Sequence, residues 1–140
     1  MQQSNIDLDQ SPSRASVSGR KQRAGTDFIG GYGQTTGSSD LLFIEGQLPT
    51  TDGVVDGDQP APVQMERSLK NLQTALAQQG RTLDDVLKVT VYFTDLKHYD
   101  AVNEVYREAF DEQLPARTVV GVSELLGGAS IQLDAVAAIE

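Results

Sequence analysis

Arg117 stands in the run Leu114-Pro115-Ala116-Arg117-Thr118-Val119-Val120, between a proline and a β-branched apolar segment. This setting puts a permanent cation at the mouth of a sheet. Guanidinium is planar, always charged and forked, so it can grip a carboxylate through paired hydrogen bonds. The alternative is a solvated strand-end arginine paired with a surface acid, since exposed arginines are the norm. Asn103 is the second candidate. It lies beside the stripe that carries Tyr99 and Tyr106. Its amide is either a plain helix-surface group or one that fixes a substrate by hydrogen bonds.

Other chemistries are poorly supplied. The sequence has no cysteine, which removes disulfides, thiolate catalysis and sulfur-ligated metals. Its one histidine, His98, rules out a multi-histidine metal site within one chain and reads as a solvated residue near a helix start. No Ser-His-Asp arrangement is readable. Gly30-Gly31-Tyr32-Gly33 with Gly37 fails the dinucleotide spacing, with no strand before it and no helix after it. Asp52, Asp56 and Asp58 lack the alternating ligands and distal glutamate of a calcium loop, so they read as turn residues. No metal and no cofactor is expected.

The 140 residues suit a single core. The formal charge is −9; residues 1–24 carry a net +2, which leaves −11 on the remainder. A body this acidic repels phosphate backbones, so nucleic acid is not an expected partner. No apolar run is long enough to cross a bilayer, and the N-terminal segment has no apolar secretory core, so membranes are not an expected partner either and a cytoplasmic location is expected. Residues 1–24 are polar and almost lack large apolar side chains, which predicts a disordered tail before a single domain over 25–140.

The body reads as strands and helices in alternation. Leu41-Leu42-Phe43-Ile44 is a short apolar strand, and Gly33-Gln34-Thr35-Thr36 is a candidate hairpin partner. Pro49 to Pro62 reads as loop, with turns at Asp52-Gly53 and Asp56-Gly57. A helix starts at Pro60 or Pro62, carries Met65, Leu69, Leu72 and Leu76 at helical spacing, and stops by Gly80. Val86 to Phe93 is a strand with Val89, Val91 and Phe93 on one face. Asp95 is a candidate N-cap for a second helix with the stripe Tyr99, Val102, Tyr106 and Phe110. Strands Thr118 to Val122 and Ile131 to Ile139 follow.

The predicted class is α+β, a β-β-α-β-α-β-β sandwich with two helices on one face of the sheet. In the last strand Ile131, Leu133, Ala135, Ala137 and Ile139 line one face, while Val136 and Ala138 make the other largely apolar. Two helices cover only one sheet face, so the second calls for another copy of the chain.

Five segments then resemble one family in order: Ile29-Gly30-Gly31-Tyr32, Phe43-Ile44-Glu45-Gly46-Gln47-Leu48-Pro49, Val89 to Leu96, Val102 to Tyr106, and Pro115-Ala116-Arg117-Thr118. Over residues 27–139 the chain is similar to the Rid (reactive intermediate deaminase, YjgF) family, whose members also carry a ribonuclease label. The resemblance implies a chorismate-mutase-like fold with a mixed sheet, a homotrimer with clefts between subunits, and hydrolysis of small carboxylate-bearing enamines and imines of the 2-aminoacrylate type. It implies that Arg117 holds the substrate carboxylate, that Tyr32 and Asn103 line the cleft, and that Gly46 and Val119 also bind substrate. The family's glutamate in the last strand falls on Gln132, which can orient water but cannot take a proton. The serine before Gly-Gln falls on Glu45, so a carboxylate either has moved across the pocket or pairs with Arg117. The expected catalytic set is therefore Arg117, Gln132 and Glu45, without a cofactor.

Overall fold

The computed structural model describes residues 33–34 and 40–139. The expected tail, the Gly30-Gly31-Tyr32 segment and with it Tyr32 lie outside the described residues.

Apolar alternation builds the sheet. Strands β1 (Gly33–Gln34) and β2 (Leu41–Gln47) form the expected hairpin pair, Gly33 opposite Ile44. The predicted loop after β2 contains a further small hairpin, β3 (Thr50–Thr51) and β4 (Val54–Val55). Its two-residue turn is Asp52-Gly53, with φ of 52° and 82°. A turn with two positive φ angles matches the twist of a tight hairpin, which is why Asp-Gly serves there. Asp56 then bonds to Arg67 and Thr51, tying the hairpin to the following helix.

That helix, α1 (Ala61–Ala77), opens after Pro60 with Pro62 in its first turn, where a missing N–H costs nothing. Met65, Leu69, Leu72 and Leu76 are all buried, as their spacing predicts. The chain leaves the helix through Gly80, and the Arg81 N–H closes onto the Leu76 carbonyl at 2.9 Å. The buried Gln64 is fully used: its amide nitrogen reaches the Gln59 carbonyl at 2.7 Å and its oxygen accepts from Ser130 N–H at 2.7 Å. One side chain thus joins the loop, α1 and the approach to the last strand.

Strand β5 (Val86–Phe93) has the predicted bounds, and Val89, Val91 and Phe93 are buried. Asp95 accepts from the Lys97 N–H at 3.0 Å, so it caps a single 3₁₀ turn that leads into the helix rather than capping the helix itself. Helix α2 (Tyr99–Phe110) buries Val102, Tyr106 and Phe110. Tyr99 departs from the expected stripe. It is 38% exposed, with its ring 6.0 Å from that of Phe93.

Strand β6 (Ala116–Gly121) begins two residues before the expected start, so Arg117 lies within the strand and not at its mouth. Strand β7 (Ile131–Ala138) completes a five-stranded sheet in the order β1-β2-β7-β5-β6. Only the β5–β6 pair is parallel, and α2 makes the crossover that a parallel pair requires. The helices pack on one face, over Leu42, Ile44, Val89, Val91, Phe93, Ile131 and Leu133. Each such side chain contributes about 1.5–3 kcal/mol on burial.

The other face is not apolar throughout, as β7 alone had suggested. At one end Phe43 pairs with Val136 and Leu41 with Ala138. At the other end Gln132 and Asp134 project beside Tyr92 and Thr90. The sheet thus offers an apolar half and a polar half to whatever covers it.

Candidate functional site

Arg117 is opposite Val89 in the parallel β5–β6 register, so its side chain leaves the sheet on the helix side, at the edge strand. There it meets α2. Its Nη2 donates to the Asn103 Oδ1 at 2.7 Å. Its guanidinium lies 4.6 Å from the centre of the Tyr106 ring and 5.6 Å from that of Tyr99. Both distances permit attraction between a cation and an aromatic face. Asn103 fixes the fork and the two rings support its plane.

These groups line an open recess of about 220 Å³ with Arg107, Leu114 and Pro115. Tyr106 is 4% exposed, and its hydroxyl has no hydrogen-bond partner among the described residues. Burial pushes its phenol up to about 12, opposed by the nearby Arg117 charge. The Asn103 amide, then the Arg117 guanidinium, hold the Tyr99 phenol below its ordinary value. Val119, two residues beyond Arg117, is half-buried against the core and offers only an apolar wall.

A second polar group occupies the open sheet face. Asp134 accepts from the Gly46 N–H at 2.7 Å and from the Tyr92 hydroxyl at 2.9 Å. The Gln132 amide reaches the same carboxylate at 3.5 Å, the outer limit of a hydrogen bond. Gly46 can aim its N–H there because β2 shifts register between Ile44 and Gln47 and Gly46 takes φ 75°, a conformation that favours glycine. The Tyr92 phenol is pushed up, first by burial, then by its bond to Asp134 and the negative charges of Asp134 and Glu45. Glu45 is exposed. It follows Phe43 by two residues on β2, which sets it on this open face near Tyr92.

One chain therefore carries two polar clusters on opposite faces of the sheet. Arg117 and Asn103 come together, while Val119 packs against the core and does not line their recess; Glu45, Gly46 and Gln132 gather around Asp134 and Tyr92. The expected alternative of a Glu45–Arg117 pair within the chain is excluded by the sheet between them. Tyr92, Tyr99, Arg107 and Asp134 were not among the sequence candidates. Tyr99, Asn103 and Arg107 recur every fourth residue, a spacing that puts them on one helix face. Asp134 was signalled by being the second polar residue on a face read as apolar. A larger recess of about 420 Å³ lies between the small hairpin and Gly127-Gly128. It is lined by the acids Asp56 and Asp58, and Asp56 is already engaged by Arg67. Among the described residues no His/Cys/Asp/Glu group is placed to hold a metal ion, and no helix is long and apolar enough to cross a membrane.

Comparison with known proteins agrees with this fold. The family model described as endoribonuclease L-PSP matches residues 24–139. A RutC family protein of Pyrococcus horikoshii is 40% identical over 112 residues, covering 78% of this chain and 87% of the relative. TdcF of Escherichia coli, named as a candidate reactive intermediate deaminase, is 33% identical over 114 residues, covering 78% and 87%. The crystal structure of TdcF with bound serine superposes with a TM-score of 0.70 at 30% identity, over 79% of this chain and 89% of that one. The YjgF gene product of Escherichia coli gives a TM-score of 0.73 at 25% identity, over 89% and 97%. With sequence and fold in accord across the whole described body, the chain belongs to the endoribonuclease L-PSP (YjgF, or Rid) family.

Proposed function

We propose that this protein hydrolyses small carboxylate-bearing imines and enamines to the keto acid and ammonia, in clefts between the subunits of a homotrimer. The observation that carries the reading is the Arg117 guanidinium, fixed by Asn103 and backed by two aromatic rings in an open recess. One nitrogen is committed to Asn103, and the rest of the fork, bordered by the phenols of Tyr99 and Tyr106, faces the recess where a carboxylate would sit. Taken as two halves of one site, the two polar clusters supply a reason for assembly. Arg117 of one copy and the Glu45-Gln132 face of the next can share one cleft only across an interface. The serine held by the related TdcF is itself a small amino acid carboxylate.

In this scheme an enamine first takes a proton at carbon and becomes the iminium. The Gln132 carbonyl accepts a hydrogen bond from a water, which adds to the iminium carbon. The Glu45 carboxylate takes the proton that the adding water releases and passes it to nitrogen; the carbon–nitrogen bond then breaks, ammonia leaves, and the remaining hydroxyl proton returns to Glu45 as the carbonyl forms. Arg117 keeps the carboxylate in place throughout, so a positioned substrate meets a positioned water. A non-catalytic carboxylate binder on the same scaffold is the second reading. It is favoured by Gln132, an amide where the family resemblance implies a glutamate. The acidic body disfavours an RNA substrate, since like charge opposes phosphate binding.

Ammonia release from 2-iminopropionate and 2-iminobutyrate generated in situ tests the proposal, with Arg117→Ala as control. Release by the parent but not the variant supports the enzyme. Carboxylate binding without ammonia release selects the binder.

A further inference from the structure

A second guanidinium lines the Arg117 recess, and the reaction as proposed gives it no task. Arg107 sits on α2 one turn beyond Asn103 and two turns beyond Tyr99, so the three side chains follow one another along the helix face that borders Arg117. No aspartate or glutamate lines this recess. Among the described residues neither Arg107 nor Arg117 has an ion-pair partner. In a chain with a formal charge of −9, two unpaired cations around one small opening focus a local positive field.

We infer that the recess takes a ligand with two anionic groups, a short-chain dicarboxylic imine, with Arg117 on the carboxylate beside the reacting carbon and Arg107 on the distal one. The inference rests on the reading of Arg117 as the carboxylate clamp. Asn103 fixes Arg117 at one level of the helix. Arg107 stands one turn away, about 5–6 Å along the axis, which is the scale of a succinate- or glutarate-like chain. The walls between, Leu114 and Pro115, are apolar and suit methylene groups. Arg107 is exposed and its long side chain can swing onto the distal group, so it acts as a specificity residue and not in the chemistry. The reaction is unchanged: water replaces nitrogen on the imine carbon and ammonia leaves.

The test compares 2-oxoglutarate with 2-oxopentanoate, keto acids of equal chain length that differ in the distal carboxylate. Binding to the full chain is measured by calorimetry at fixed ionic strength. The parent should bind 2-oxoglutarate tighter by about tenfold or more, the scale of one charge-assisted hydrogen bond. In Arg107→Gln the gap should close while 2-oxopentanoate affinity holds. Glutamine is a good helix former on an exposed position, so the fold is retained. In Arg107→Glu the preference should reverse. Equal affinities in the parent, a gap that survives Arg107→Gln, or no binding of either acid would each overturn the inference. A closing gap in a protein that releases no ammonia would leave this assignment standing and remove the enzymatic reading instead.

Discussion

The Arg117 guanidinium is oriented by Asn103, whose side-chain oxygen accepts from Nη2 at 2.7 Å across the gap between β6 and α2. A neutral acceptor in this place steers the cation without cancelling it. That difference gives a sharp expectation for Asn103→Asp. A carboxylate at the same distance would neutralise Arg117 from within and compete with any anionic ligand. Carboxylate binding should fall by about 1.5–3 kcal/mol, the range for hydrogen bonds to charged groups, and further than in Asn103→Ala. Calorimetry on the two variants decides the order. A stronger loss in Asn103→Ala would mean that Asn103 contacts the ligand directly.

Arg117→Lys keeps the charge but loses the planar fork. Carboxylate affinity should weaken by about 1–3 kcal/mol while assembly and thermal stability persist. Unchanged affinity would return Arg117 to the role of a surface ion.

Tyr106→Phe removes a buried hydroxyl that has no hydrogen-bond partner among the described residues, while the ring that supports Arg117 stays. The free protein should be as stable as the parent or more so, by about 1 kcal/mol. The pH dependence has a definite sign. The folded phenol is raised from 10.0 to about 12. Its contribution is therefore present in full below pH 10 and is lost as pH rises from there towards 12. Urea unfolding of Tyr106→Phe should show a shallower alkaline decline than the parent.

Asp134→Ala strips the partner from the Gly46 N–H at the register shift in β2 and should cost about 1–3 kcal/mol, with Asp134→Asn recovering most of it. The Tyr92 phenol should also titrate lower in Asp134→Ala, part of the way back towards 10.0, because burial remains the larger cause of its shift. Ultraviolet titration of the phenol reads this directly. An unmoved midpoint would show that the Tyr92–Asp134 bond does not form in solution.

Sedimentation equilibrium should give three times the 15.1 kDa chain mass. Val136→Asp, placed opposite Phe43 on the uncovered apolar half of the sheet, should shift the equilibrium to monomer and abolish turnover with it. A soluble, stable monomeric parent would remove the shared cleft.

Much of the fold was legible in the sequence because periodicity is local. Val89, Val91 and Phe93 declare a strand face by alternation, and Met65, Leu69, Leu72 and Leu76 declare a helix face by their spacing. The hairpin at Asp52-Gly53 reads as loop in the sequence because two-residue strands carry too little pattern to stand out, although the turn chemistry is present. Arg117 and Asn103 were both nameable as candidates from their residue types and neighbours. Their bond, the support from Tyr99 and Tyr106, and the presence of Arg107 depend on how α2 crosses from β5 to β6, a long-range relation that no local pattern encodes. The same holds for Asp134. Its place under Gly46 and Tyr92 needs three strands in one register, and register is fixed by packing of the whole sheet. Local pattern thus declares most of the inward-facing side chains and names the chemical groups on offer; only the tertiary structure turns Tyr99 partly outward and parts the polar groups into two clusters, because a sheet separates its two sides.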